Sequence, residues 1–118
     1  MPSTTSFSQG DVVLVPFPFT DLSATKQRPA LVLSPERLNK VRSDLVVAAI
    51  TSQIPDVIGE DEILLLDTDL RTAGLPKASM IKVGKIFTNH QGLIRKKIGH
   101  VSDSTRGEIL EKLMQSMR

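Results

Sequence analysis

Leu45-Val46-Val47-Ala48-Ala49-Ile50 is an unbroken run of six apolar residues, and no other stretch of the chain limits the fold as much. Six residues are too few for a buried helix. The run does not alternate, so it reads as a central strand covered on both faces. The other apolar runs are just as short. Gly10-Asp11 opens one over residues 12–15, and others cover 30–33 and 63–66. Pro16 and Pro18 end the first of them, because proline cannot donate to a ladder. Residues 17–27 are polar and turn-compatible and read as a loop. Ser34 as N-cap and Pro35 at the first helical position predict a helical turn to Leu38.

The second half carries a different signal. In residues 79–87, Met80, Ile81, Val83 and Ile86 are apolar, with Lys82 and Lys85 between them. The turn signal Asn89-His90-Gln91-Gly92 then leads to a strand over 93–101, and the two strands read as a hairpin. Residues 67–77, with Gly74 and Pro76, read as a loop. Residues 102–118 read as a closing helix. Thr105 and Glu108 have capping-box spacing, and Ile109, Leu110, Leu113, Met114 and Met117 form one stripe, read as core-facing. Many short strands and one terminal helix predict a mainly β fold, a small and strongly bent barrel.

At 118 residues the chain is long enough for one domain. Residues 1–8 read as a flexible N-terminus and 9–118 as the domain. Cysteine is absent, which excludes disulfides and thiolate metal sites and fits a reducing compartment. His90 and His100 lack metal-ligand spacing, so no metal site is expected. No apolar run suits a membrane span, and the polar start does not resemble a signal peptide. A cytoplasmic protein is the simplest reading. No Gly-x-Gly-x-x-Gly or Walker pattern supports a nucleotide-binding α/β fold.

The net charge is only +2, but it is unevenly spread. Asp56, Glu60, Asp61, Glu62, Asp67 and Asp69 cluster in mid-chain, and Lys82, Lys85, Arg95, Lys96 and Lys97 follow. Two solvated faces explain this as well as a basic surface for a polyanion does.

Arg28 precedes the apolar run 30–33, and Thr51 follows the run 45–50. If those strands pair, a guanidinium and a hydroxyl meet at one end of a sheet, a combination suited to phosphate. Read singly, Arg28 is more simply a surface arginine entering a strand and paired with an acid of the mid-chain cluster, and Thr51 a strand end.

Three motifs resolve that choice. Gly10-Asp11-Val12-Val13-Leu14-Val15, Arg28-Pro29-Ala30-Leu31-Val32-Leu33-Ser34 and Ile50-Thr51-Ser52-Gln53, in that order, resemble the MazF/PemK family of type II toxin–antitoxin endoribonuclease toxins. Ala73-Gly74-Leu75-Pro76-Lys77, Ser79-Met80-Ile81-Lys82 and Lys96-Lys97-Ile98-Gly99 add weaker support, and the likeness spans roughly Ser8 to Met117. The resemblance implies an SH3-like, strongly twisted barrel, a homodimer, and a cognate antitoxin whose acidic, extended segment blocks the RNA groove. It implies metal-independent cleavage of single-stranded RNA to 2′,3′-cyclic phosphate and 5′-hydroxyl ends, without a cofactor. By motif match the catalytic pair is Arg28 and Thr51. Lys26, Gln27, Ser52, Gln53, Lys82 and Lys85 are the expected RNA contacts.

The chain departs from the family in one loop. Many members carry glycine and glutamate before the arginine, whereas residues 20–27 contain neither, and Asp21 is their only acid. That loop also lacks aromatic platforms for stacking bases. The competing class is a non-enzymatic toxin resembling CcdB, which uses a similar barrel to poison DNA gyrase through its C-terminal residues. An inactive family member is the third reading.

Overall fold

A computed structural model of the chain describes residues 6–16 and 27–118. The first residues of the expected flexible segment and most of the expected loop, Lys26 included, lie outside them. The elements are β1 (Asp11–Pro16), β2 (Gln27–Val32), α1 (Glu36–Asn39), β3 (Asp44–Thr51), β4 (Glu62–Leu65), α2 (Thr68–Ala73), β5 (Ser79–His90), β6 (Lys96–His100) and α3 (Asp103–Ser116). Gln91–Leu93 forms a 3₁₀ turn. The strands form one antiparallel sheet in the order β4-β5-β3-β2-β1-β6. It curls into a half-barrel with α3 at its end, the mainly β architecture expected.

The sheet is buried on both faces, as the uninterrupted 45–50 run requires. Val12, Leu31, Ala48, Ile50, Ile63, Leu65, Ile81 and Val83 point to one core, where Ala73, Leu75 and Ile109 cover them. Their neighbours Val13, Val15, Ala30, Val32, Leu45 and Val47 point the other way, against Phe7, Phe87 and Ile94. Alternation of side chains along each strand divides the apolar residues between the two layers.

The expected hairpin does not form. β6 pairs with β1 at the opposite edge from β4, and three strands separate it from β5. Tertiary hydrogen bonds redirect the chain. The Gln91 amide donates to Asn39 O at 2.7 Å and to Arg42 O at 2.8 Å, and its backbone N–H donates to Ser43 O. Arg95 N–H then reaches Leu14 O at 2.8 Å. Turn composition says that the chain bends after β5, not which partner it meets.

Four local expectations are corrected as well. Residues 67–77 contain the helix α2, which ends at Gly74 in the left-handed region with φ +73. A Cβ at Gly74 would run into the Ile98 carbonyl, and one at Gly99 into the backbone of Thr72 and Ala73, so α2 and β6 meet backbone to backbone. Ser102, not Thr105, caps α3 by accepting from Thr105 N–H at 3.2 Å, so the helix starts where the 102–118 reading put it and the capping-box spacing of Thr105 and Glu108 marks no cap. Ser34 caps nothing, because its hydroxyl accepts from Val46 N–H, and Pro35 takes the N-cap position of α1. The stripe on α3 is only half core. Ile109 is buried and Leu113 packs on the core, but Met114 and Met117 are 68% and 67% exposed. Among the described residues no helix is long and apolar enough to cross a membrane.

Candidate functional site

β2 and β3 pair through Ala30↔Ala49, Leu31↔Ala48 and Val32↔Val47. The pairing stops at Ala30↔Ala49; continued two residues further along both strands, the same register would set Arg28 opposite Thr51. Each lies two residues from a paired alanine, so alternation puts both side chains on the face that carries Ala30 and Ala49. Arg28 is exposed and Thr51 half-buried. Thr51 Oγ1 accepts from Gln53 N–H at 3.1 Å, which turns the chain sharply after β3 and leaves the hydroxyl proton to donate elsewhere.

The row continues across the sheet. Thr51 pairs with Met80 on β5, and Met80 with Leu64 on β4. The adjacent row runs Ala49, Lys82, Glu62. Facing residues in register share a side of the sheet, so one surface carries Arg28, Thr51, Met80 and Lys82 in order. Gln53, Ile54, Pro55, Glu62, Met80 and Lys82 line an open pocket of about 370 Å³ beside Thr51. Ile54 and Pro55 make an apolar wall, and buried Met80 lies beneath.

Glu62 is the polar centre of this pocket. Its side chain is only 14% exposed, and Oε2 stands 3.8 Å from Lys82 Nζ. Its other oxygen, Oε1, accepts from Gly59 N–H at 2.6 Å, which fixes the carboxylate on the turn before β4.

Of the expected RNA contacts, Gln27, Ser52 and Gln53 lie exposed on either side of the arginine–threonine pair, and Lys82 joins Gln53 in the pocket. Lys85 is exposed but stands apart, in the three-residue bulge of β5 between the pairs Ala48↔Ile86 and Ala49↔Lys82. The late cations do not share one strand or edge. Lys82 faces Glu62, whereas Lys97, across the sheet on β6, stands 3.5 Å from the buried Asp11. Glu62 was hidden in the mid-chain acidic cluster. The signal that could have found it is its place at the head of the short 62–65 strand, where the two-residue period puts it on the face opposite the buried Ile63.

Solved structures with this architecture include an endoribonuclease in complex with its cognate antitoxin from a mycobacterial species. It is 16% identical, covers 95% of each chain and has a TM-score of 0.76. The MazE–MazF complex of Deinococcus radiodurans is 20% identical over 96% of each chain, also with a TM-score of 0.76. The Mycobacterium tuberculosis toxin MazF-mt6 is 19% identical, over 91% of this chain and 95% of its own, with a TM-score of 0.73. At such identities these likenesses show the fold. No curated protein sequence matches the chain. The family model for the PemK-like, MazF-like toxin of type II toxin–antitoxin systems matches residues 8–117, and the chain belongs to that family.

Proposed function

We propose that the chain is a sequence-specific, metal-independent endoribonuclease that cuts single-stranded RNA, with Arg28 and Thr51 as its catalytic residues. The observation that carries this reading is the β2–β3 pairing up to Ala30↔Ala49, whose register, extended by two residues on each strand, would set the two side chains on one face. In the reaction the ribose 2′-oxygen attacks the adjacent phosphorus and the bond from phosphorus to the 5′-oxygen breaks. The 2′-hydroxyl loses a proton and the leaving 5′-oxygen gains one. The products carry a 2′,3′-cyclic phosphate and a 5′-hydroxyl.

Negative charge grows on the phosphate oxygens along this path. The Arg28 guanidinium offers paired, charge-assisted hydrogen bonds to them. The Thr51 hydroxyl, already accepting from Gln53 N–H, donates its own proton to the same oxygens. A guanidinium is a poor base, so Arg28 acts by electrostatics and positioning. Lys26, Gln27, Ser52, Gln53, Lys82 and Lys85 are the RNA contacts of this reading.

The same proposal includes a homodimer, a cytoplasmic setting and a cognate antitoxin. The solved neighbours include complexes with an antitoxin, MazE–MazF among them, which supports that partner. Light scattering at micromolar protein should give twice the 12.9 kDa chain mass; a species of that mass alone would refute the dimer.

The decisive assay incubates purified protein with a long single-stranded RNA in EDTA, beside Arg28→Ala and Thr51→Ala. Cleavage by wild type alone, leaving 5′-hydroxyl ends, is expected. Wild-type rates in Arg28→Ala would remove that residue from the mechanism. One observation favours the second reading, a toxin that binds a protein target such as DNA gyrase: Met114 in the last turn of α3 and Met117 just past its end stand exposed. Loss of toxicity on trimming residues 115–118, with Arg28→Ala harmless, would decide for it.

A further inference from the structure

We infer that the pocket beside Thr51 is a base-reading subsite, and that Glu62 and Lys82 together select guanine at the nucleotide next to the cleaved phosphate. The inference rests on the ribonuclease reading above and adds to it which residues set sequence preference.

Position comes first. Met80 is the register partner of Thr51, so the pocket floor lies one strand spacing, about 4.8 Å, from the catalytic threonine. A phosphate held by Arg28 and Thr51 places the neighbouring base over Met80, against Ile54 and Pro55. The pocket is larger than a single base and is open to solvent.

The chemistry of the rim then chooses the base. A lysine meant only for phosphate gains nothing from a carboxylate beside it, which offsets its charge. Here the carboxylate is built in. Gly59 N–H holds Glu62 Oε1, and Oε2 turns toward Lys82. At 3.8 Å the two charged groups are too far apart for a good hydrogen bond, and each retains capacity for a ligand. An acceptor and a donor thus stand side by side at the rim. Guanine presents the complementary edge: O6 accepts from the Lys82 ammonium, while N1–H and N2–H donate to Glu62. Adenine, cytosine and uracil lack two adjacent donors beside an acceptor, so the carboxylate meets at most one donor flanked by a lone pair.

Lys85 stands outside the pocket, and Lys97 contacts Asp11 across the sheet. Selectivity is therefore assigned to one ion pair and not to the general charge of the surface.

The test separates binding from cleavage. Short random single-stranded RNAs carrying 2′-fluoro sugars lack the attacking hydroxyl and stay intact. Wild type, Glu62→Gln and Lys82→Met are used to select from this pool, and the bound sequences are read. Glu62→Gln keeps an oxygen for Gly59 N–H, so the turn before β4 is retained, and thermal melts verify folding of each variant. Wild type should enrich guanine at one position, and each variant should lower that enrichment about tenfold. Cleavage-site sequencing on ordinary RNA should show the same guanine and the same relaxation. An unchanged motif in both variants would overturn the inference while leaving the nuclease reading intact. Weaker binding by Lys82→Met with a smaller salt dependence and an unaltered motif would make Lys82 a phosphate contact, and also overturns it. A wild type that neither binds nor cuts RNA would overturn both readings.

Discussion

Two lysine–carboxylate pairs sit on different strands of this sheet. Asp11 with Lys97 lies on the β1–β6 side, and Glu62 with Lys82 on the β4–β5 side. Both carboxylates are largely buried, at 6% and 14% exposure, and both accept from a nearby backbone N–H. Their wiring differs. In Asp11 one oxygen, Oδ2, serves both Ser8 N–H and Lys97. In Glu62 the two tasks are divided between two oxygens, and the one toward Lys82 sits at a pocket. The β6 side is also closed by glycines, with the α2 and β6 backbones in contact at Gly74 and Gly99. The same pair of residue types thus secures a strand on one side and stays available to a ligand on the other.

Substitutions should split along that line. The largest effect is expected from Gly74→Val on the closed side. A β-branched residue at φ +73, with its Cβ driven into the Ile98 carbonyl, should cost about 4 kcal/mol or more, and a denaturant melt would register it. A loss below about 1 kcal/mol would mean that α2 separates from β6 without harm to the sheet. Arg28→Ala comes next, at the open end. Cleavage should fall by about two to three orders of magnitude, as when a fixed donor to a developing oxyanion is removed. Its melting curve should match wild type, since the side chain is exposed. Asp11→Asn should cost about 2 kcal/mol of stability, because a charge-assisted contact to Lys97 is lost from a buried site, and leave the RNA motif unchanged. Glu62→Gln should show the reverse, under about 1 kcal/mol in a melt but a changed motif. The smallest effect is expected for Met114→Gln on α3, within about 0.5 kcal/mol.

Legibility in the sequence followed the same division. Strand positions were plain, because uninterrupted or alternating apolar runs admit few other readings. The family was legible through its motifs, Arg28 before one strand and Thr51 after another, and the structure supplies the β2–β3 register on which the proposed catalytic pair rests. What escaped depended on partners distant in sequence. The crossing of β6 rests on Gln91 bonding to Asn39 and Arg42, which no turn signal encodes. The helix α2 is only six residues long, and it starts after Asp67 at φ 52, which no side-chain cap marks. Glu62 looked like any other acid in a polar cluster until β4 paired with β5 and set it against Lys82. The methionines of α3 fell on the right stripe, but the helix runs past the body it packs on.

The crossing of β6 also has a consequence in time. Val13 pairs with Lys97, so β1 must wait for a strand 84 positions later, obtained as 97 minus 13. Closing so long a loop is slow compared with the local pairings of β3, β4 and β5. A chain emerging from the ribosome amino-terminus first therefore carries β1 with an open edge through most of its synthesis. That interval ends only when β6 arrives, so the last pairing in the sheet belongs to its first strand.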